Sequence, residues 1–451
     1  MSRSKGKRLT LARGVRFSCM QCGDCCRSFP ISLSPSEAER YEERDWTKIL
    51  GENHPPVVNY VRRGGGTLRY LARAANGWCL FLGEDQLCEI HRHHGEPDKP
   101  LACRLFPFGL ADGPEVDGTV VLGRFACSAV AHGEGETIQS HRKELDELVR
   151  EFHEVQPPRV ASGPPRLPFS QGLDYGPDEV GLVLDLVAGE LENASRPFPE
   201  RILAISKFLS LVATSRFKTI NTGSAKKAIH GFAEGIHAQV GRGLLKTPAF
   251  APLPQRLLFR QLLAMAARRD SARLVVAGPL RLLARRIGNL LAGLAFMAGT
   301  GVVRCVGREK PAVLGEVRRK GPPANPADPA ADGALTRYFL NNLTGRFLFA
   351  GSFQLEQVLP SLGLLLRQYP LICLLARAAC VARGGEEVGR DDWVSAIRTA
   401  DWNFGHVPWT RGPFGGLRGR LLADVEVPLA FLAECTGIEP EPAPEQAQAA
   451  S

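Results

Sequence analysis

Phe17-Ser18-Cys19-Met20-Gln21-Cys22-Gly23-Asp24-Cys25-Cys26-Arg27 puts four thiols within eight positions. Four more follow at Cys79, Cys88, Cys103 and Cys127, so eight of the twelve cysteines lie in the first 127 of 451 residues. A chain of this length does not need a disulfide scaffold. No export signal opens it, so reduced thiols in the cytoplasm are expected, and reduced thiols at this density point to metal ligation. Thiolates are soft, anionic and polarisable. They suit zinc and iron–sulfur clusters and suit magnesium or calcium poorly. In Cys-x-x-Cys spacing two sulfurs reach one ion across a tight turn, and Gly23 permits the backbone angles of such a turn. Arg27 offsets part of the negative charge.

Working outward, Ser34-Pro35-Ser36-Glu37 reads as a helix start with a capping box, and the helix covers 35–43. Trp78–Leu82 and Gln86–Ile90 flank Gly83-Glu84-Asp85 and read as a hairpin with one cysteine on each arm. Residues 119–127 read as a strand and 138–152 as a closing helix. The cysteine domain therefore spans 10–155. A Pro-rich linker covers 156–170, a helical region 171–320, a flexible break 321–333, a second helical region 334–438 and a disordered tail 439–451. Helices are expected over 178–194, 199–213, 224–243, 254–269, 277–298, 334–348, 354–367, 371–382 and 391–400. The fold class is a small α+β cysteine-rich metal-binding domain followed by a larger, mostly α-helical region.

Eight thiolates suffice for two sites of four ligands, or for one site with bystanders. Zinc and an iron–sulfur cluster such as 4Fe–4S both fit the donor set; the regular ferredoxin pattern ending in Cys-Pro is absent. Adjacent side chains usually diverge, so Cys25 and Cys26 are expected either to serve different sites or to include one non-ligand. His91 is the histidine best placed to ligate or to hydrogen-bond a sulfur, while His93 and His94 read as a solvated turn. Arg104 is a candidate for binding a sulfide, a carboxylate or a substrate anion. Phe106 and Phe108 are expected to cover the site. Cys305, Cys373, Cys380 and Cys435 read as buried, inert thiols. Trp393…Asp401-Trp402-Asn403-Phe404-Gly405-His406 reads as a helix end packed on the core. No HExxH, GxSxG, phosphate-binding glycine loop or aspartate-rich metal loop is present, and no residue stands out as catalytic.

The net charge is +9, with 44% hydrophobic and 23% charged residues. This is ordinary for a globular chain, and the basic excess reads chiefly as a solubilising face. Nucleic acid is not an expected partner. Ile287–Val303 carries no charge and is flanked by Arg285, Arg286 and Arg304. Being short for a membrane span, it reads as a buried helix or as a hairpin at a membrane surface, where this basic, apolar region makes peripheral contact. The apolar run 362–375 contains Arg367 and Pro370 and is not expected to span.

The stretch Phe17-x-Cys19-x-x-Cys22-Gly23-x-Cys25-Cys26-Arg27, with Cys79-x-Phe81-Leu82, Cys88-x-Ile90-His91, Lys99-Pro100-x-x-Cys103-Arg104-x-Phe106-Pro107 and Cys127, resembles the YkgJ-type cysteine-cluster domain, a zinc- or iron-chelating domain. The resemblance covers about 15–130. It implies that Cys19, Cys22, Cys25, Cys26, Cys79, Cys88, Cys103 and Cys127 are the cluster cysteines. The length and two-part architecture are also similar to flagellin lysine-N-methylases. That distant resemblance implies S-adenosylmethionine as cofactor and a protein substrate. A non-catalytic assembly protein with structural zinc, and an iron–sulfur carrier with a redox partner, are the alternatives.

Overall fold

The computed structural model describes residues 8–52, 54–61, 66–112, 118–156, 166–245, 250–267, 279–344, 357–404 and 415–437. The chain divides into two compact units, Met1–Ala161 with Arg269–Leu291, and Ser162–Arg268 with Ala292–Ser451.

The first unit is built from short pieces. Its strands are β1 (Arg8–Leu11), β2 (Arg16–Phe17), β3 (Ser32–Leu33), β4 (Val57–Val61), β5 (Thr67–Leu71), β6 (Phe108–Asp112), β7 (Gly118–Gly123) and β8 (Glu136–Thr137). Its helices are α1 (Asp24–Ser28), α2 (Pro35–Glu43), α3 (Thr47–Leu50), α4 (Glu89–His94), α5 (Leu101–Leu105), α6 (Ser128–His132) and α7 (Arg142–Val155). β5 lies between β3 and β4 in an antiparallel sheet. β7 pairs with β6 antiparallel and with β1 in parallel. β2 pairs with β8, bringing Phe17 opposite Glu136.

The predicted capping box is present. Glu37 N donates to Ser34 Oγ (3.3 Å), and Ser34 N donates to Glu37 Oε2 (2.8 Å). The other Glu37 oxygen accepts the Leu101 amide at 2.7 Å. One carboxylate therefore starts α2 and also ties down α5, which carries Cys103. Behind them Trp46 stacks on Tyr41 (5.4 Å) and meets Phe81 edge-on (4.8 Å). These rings share a core with Leu33, Ala38, Val57, Leu71, Cys79 and Ile90, and Cys26 and Cys88 pack against it.

Two expectations in this unit change. The hairpin over 78–90 is a compact loop held by single bridges, Arg73 with Cys79 and Leu82 with Cys88. Its turn closes as read, through Gly83 N to Leu87 O at 2.9 Å, but the second arm turns into α4 directly after Cys88. The strand over 119–127 ends at Gly123, and Cys127 caps α6 instead.

The second unit contains α8 (Pro177–Glu192), α9 (Phe198–Ser215), α10 (Gly223–Gly241), α11 (Leu253–Ala266), α13 (Leu314–Lys320), α14 (Pro329–Thr344), α15 (Val358–Arg383), α16 (Arg390–Phe404), α17 (Gly415–Ala423) and α18 (Leu432–Thr436). It also holds the strand pairs β9 (Leu167–Ser170) with β10 (Leu173–Tyr175), and β11 (Val302–Val303) with β12 (Ala312–Val313). α12 (Pro279–Met297) has residues in both units.

α15 is buried from Val358 to Cys380 and packs on α16, α17 and α18. It replaces the two helices expected over 354–367 and 371–382. Pro370 removes one backbone donor, which argued for a break. The helix passes through because packing on every side supports it, and an all-round apolar helix belongs in a core. Among the described residues it alone is long and apolar enough to cross a membrane, and it is wholly enclosed by protein.

Two buried arginines on α15 bind neighbouring segments through backbone carbonyls. Arg367 donates to Gly363 O (2.9 Å), Leu422 O (3.1 Å), Leu421 O (2.6 Å) and Asp424 O (3.0 Å), and to Gln255 Oε1 (2.9 Å). Burial lowers its pKa to about 10, so it stays charged at neutral pH. Arg377 donates to Val317 O, Gly321 O, Pro322 O and Glu434 O at 2.8–3.1 Å.

The break expected over 321–333 is shorter. α14 starts at Pro329, and Ala324 N bonds Thr436 O at 2.8 Å. The helical regions read as 171–320 and 334–438 share the second unit except for Arg269–Leu291, with Arg201 of α9 paired to Asp332 of α14 at 3.0 Å. The Pro-rich linker holds β9 in its last four residues, its positions 157–165 lie outside the described residues, and so does the tail 439–451. Cys305, Cys373, Cys380 and Cys435 are buried, as is Trp393; Gly405 and His406 lie outside the described residues. The apolar run Ile287–Val303 covers the second half of α12, which ends at Met297, and reaches β11 at Val302–Val303. Its helical part is not buried as expected, because Ile287, Leu290, Leu291 and Leu294 are exposed.

Candidate metal centre

α1 starts on Gly23 at φ 67°, in the left-handed region. A Cβ at this position would stand 3.0 Å from Gln86 Oε1 and 3.4 Å from Leu82 Cδ1. Glycine thus serves twice: it turns the chain into α1 and lets the loop before Cys88 approach. Cys25 and Cys26 follow in the single turn of α1, with their sulfurs 3.9 Å apart. The divergence expected of neighbouring side chains does not occur.

Cys79 is joined to this turn by its own backbone, since its amide donates to Cys26 O at 2.8 Å. Arg73 clamps the same junction. Its guanidinium donates to Phe29 O (2.5 Å), Arg27 O (2.9 Å), Cys26 O (3.2 Å) and Gly77 O (2.5 Å). Arg27 closes the outer side through Cys22 O (3.0 Å), Asp24 Oδ1 (3.3 Å) and Gln86 Oε1, and its guanidinium lies 5.0 Å from the Trp78 ring. Cys88 caps α4 and Cys103 sits inside α5.

The electrostatics show which thiols are neighbours. Cys26 feels Cys25, Cys79 and Cys103. Cys103 in turn feels Cys79, Cys88 and Cys25. These five form one group drawn from four chain segments. Cys127 feels Cys22 and Cys25 and so lies beside it. Cys19 and Cys22 are exposed.

The hydrogen bond from Cys26 lowers the Cys25 thiol to about pKa 7, against the opposing effect of burial, with Lys99 adding a smaller favourable field. Cys26, as the proton donor in that pair, is pushed up, and burial acts in the same direction. Burial raises Cys79 and Cys127 to about 11 and Cys103 well above its ordinary value. A crowd of buried thiols retains its protons unless a cation compensates the charge. Lys99 and Arg73 are nearby cations, and a metal ion displaces the protons outright.

The donor set fits a soft cation. Two sulfurs bound to one tetrahedral zinc stand about 3.8 Å apart, close to the Cys25–Cys26 spacing. Among the described residues, no three Cys, His, Asp or Glu side chains already surround a common point.

The histidines stay outside the group. His91, His93 and His94 are exposed on α4, His93 paired with Glu89 (3.2 Å) and His94 edge-on to Trp46 (5.2 Å). Arg104 is engaged by Glu151 (2.8 Å) and Glu96 (3.4 Å) rather than left open for an anion. Phe106 packs on Phe29 beside the α1 turn at 5.2 Å, whereas Phe108 packs on Phe17 at 5.5 Å. Arg73 was absent from the sequence reading, and Lys99 entered it only as part of the motif around Cys103, without a role of its own. The nearness of Lys99 to Cys103 in the chain is the signal for its field on the thiols. Arg73 carries no local signal for this role, because the three carbonyls that tie it to the α1 turn are more than forty residues away in the chain.

Residues 18–122 match the model of the CxxCxxCC family, described as a "putative zinc- or iron-chelating domain". An uncharacterised protein of Methanocaldococcus jannaschii is 24% identical over 142 residues, 31% of this chain and 46% of its own length. The chain thus spans about half the length of this curated relative. No solved structure matches the chain. The family match supports metal binding by the cysteine domain. It stops short of the helical unit and does not extend to the methylases.

Proposed function

We propose that the first unit is a thiolate metal-binding module whose primary ligands come from Cys25, Cys26, Cys79, Cys88 and Cys103, with Cys127 and Cys22 adjoining. The observation that carries this reading is the 3.9 Å approach of the Cys25 and Cys26 sulfurs inside a group of thiols drawn from four segments. That spacing suits two thiolates on one zinc- or iron-sized ion, so Cys25 and Cys26 serve the same centre. Cys25, whose thiol is lowered to about pKa 7 beside Cys26, offers a ready thiolate to an entering ion. Arg73 and Gly23 hold the backbone on which the sulfurs converge, and Lys99 offsets their charge. Bound zinc supplies a closed structural cross-link, and bound iron adds one-electron chemistry.

The test is anaerobic metal and acid-labile sulfide analysis of the full chain beside its Cys26→Ser and Cys305→Ser variants. Stoichiometric zinc or iron in the parent and in Cys305→Ser, with loss in Cys26→Ser, is the expected result. Metal-free parent protein that keeps its fold would sink the reading. Sulfide with iron identifies a cluster and favours electron transfer; zinc without sulfide favours the structural role. Calorimetric titration with S-adenosylmethionine tests the finer reading, methyl transfer to a protein lysine, which rests on resemblance alone.

A further inference from the structure

The run from Ser18 to Cys22 is exposed throughout, and it carries two thiols of the first unit, Cys19 and Cys22. Met20 between them is exposed as well. The loop is anchored at both ends. On one side Glu136 N donates to Ser18 Oγ at 3.3 Å, and Gly135 lies so close that a Cβ there would stand 2.3 Å from Ser18 N. On the other side Arg27 donates to Cys22 O at 3.0 Å. Gln21 takes φ 55°, a left-handed angle uncommon for a residue with a side chain, and Gly23 follows at 67°. Such an angle persists only where the surroundings hold it. The outward display of Cys19, Met20 and Cys22 is therefore built into the fold.

The inner group does not need this pair. Cys25, Cys26, Cys79, Cys88 and Cys103 already exceed the four sulfurs that close a tetrahedral ion or a cluster. Cys127 links the two sets, since it feels both Cys22 and Cys25. Thiols thus run from solvent to the interior, with Cys19 and Cys22 exposed, Cys127 part-buried and Cys79 buried. Ligand exchange at a buried centre needs a sulfur that a carrier can reach, and a metal site needs an entry path. We propose that Cys19 and Cys22 are the exchange gate of the centre, a solvent-facing pair that receives a thiophilic ion from a thiolate carrier and passes it by way of Cys127 to the inner group. This rests on reading the first unit as a thiolate metal-binding module. At each step one metal–sulfur bond forms as another breaks, and the incoming thiol gives its proton to water. In the resting centre neither residue is a ligand. The Met20 thioether adds a soft donor at the entrance and offers nothing to hard ions such as magnesium.

The experiment follows zinc uptake and release by the full chain with the chromogenic chelator pyridylazoresorcinol, beside Cys19→Ser/Cys22→Ser and Cys26→Ser. A gate lowers the barrier and leaves the end states alone. The double variant should therefore keep the parent's zinc stoichiometry and affinity, while uptake and release both slow by one factor, about tenfold or more. Cys26→Ser should lose zinc, as a resting ligand does. In the zinc-loaded parent, brief iodoacetamide treatment should label Cys19 and Cys22 and spare Cys79 and Cys103. A double variant that loses zinc, or protection of Cys19 and Cys22 in the loaded parent, overturns the proposal by making the pair resting ligands. A double variant that exchanges as fast as the parent overturns it as well. Parent protein that binds no metal overturns the module reading itself, so the two failures are distinct.

Discussion

The two units keep their shape by different means. In the helical unit, α15 is buried from Val358 to Cys380, and its two buried arginines each donate to several backbone carbonyls of neighbouring segments. In the cysteine unit most elements are five residues or shorter, and the aromatic core around Trp46 ends at a layer of thiols. One unit hides apolar surface and gives its buried arginines carbonyl partners. The other gathers sulfurs whose burial opposes their ionisation. The difference teaches that a core of sufficient size stabilises itself, whereas a layer of clustered thiols needs a cation to become favourable.

Removing the metal should therefore separate the units most sharply. Structural zinc in small domains contributes on the order of 10 kcal/mol to folding. Chelation, or Cys103→Ser, should expose the amides of 20–130 to hydrogen exchange and leave those of α15 protected. Equal protection of both units after complete metal removal would contradict this division.

The converse lesion is Arg367→Leu. It leaves the carbonyls of Leu421, Leu422 and Asp424 without their charged donor and should cost about 3–5 kcal/mol. Thermal melting of the helical unit should shift downward while metal stoichiometry stays constant. Gly363→Val acts on the same joint, because a Cβ there would fall 1.8 Å from Leu422 O. Overpacking of this kind costs about 1–3 kcal/mol, and a variant that melts like the parent would show that α17 can move away without cost.

Glu37→Ala is a smaller change within the cysteine unit. It removes the capping box and the acceptor for the Leu101 amide, at about 1–2 kcal/mol. Since α5 carries Cys103, metal retention in a chelator competition should fall with it. Ser36→Ala, which leaves the box intact, is the control that should not alter retention.

The smallest expected effect is a pH dependence of the metal-free protein. Alkylation at Cys25 should rise with a midpoint near pH 7, and at Cys79 and Cys127 only towards pH 11. The linkage signs are opposite. Cys25, lowered from 9, contributes stability that is full above pH 9 and is lost as pH falls towards 7. Cys79 and Cys127, raised from 9, contribute stability that is full below pH 9 and is lost as pH rises towards 11. Peptide mapping after brief iodoacetamide treatment reads this order, and equal midpoints at Cys25 and Cys79 would contradict it.

Local signals were legible where the chain's own neighbours determine the outcome. Ser34 and Glu37 form the box because three residues of helix bring them together, and Cys-x-x-Cys marks thiol chemistry through spacing alone. The same logic misread residues 86–90, where alternation suggested a strand and Cys88 instead caps a helix. It also broke the long helix at Pro370, because the support that carries α15 through the proline comes from residues distant in sequence.

The number, spacing and softness of the thiols, and with them the chemistry available to the first unit, follow from covalent sequence and need no fold to be read. The grouping of Cys25, Cys26, Cys79, Cys88 and Cys103, the clamp by Arg73, and the exposure of the leucines on α12 depend on which distant segments pack together. Side-chain packing and burial are properties of the folded chain as a whole, so only the tertiary structure decided them.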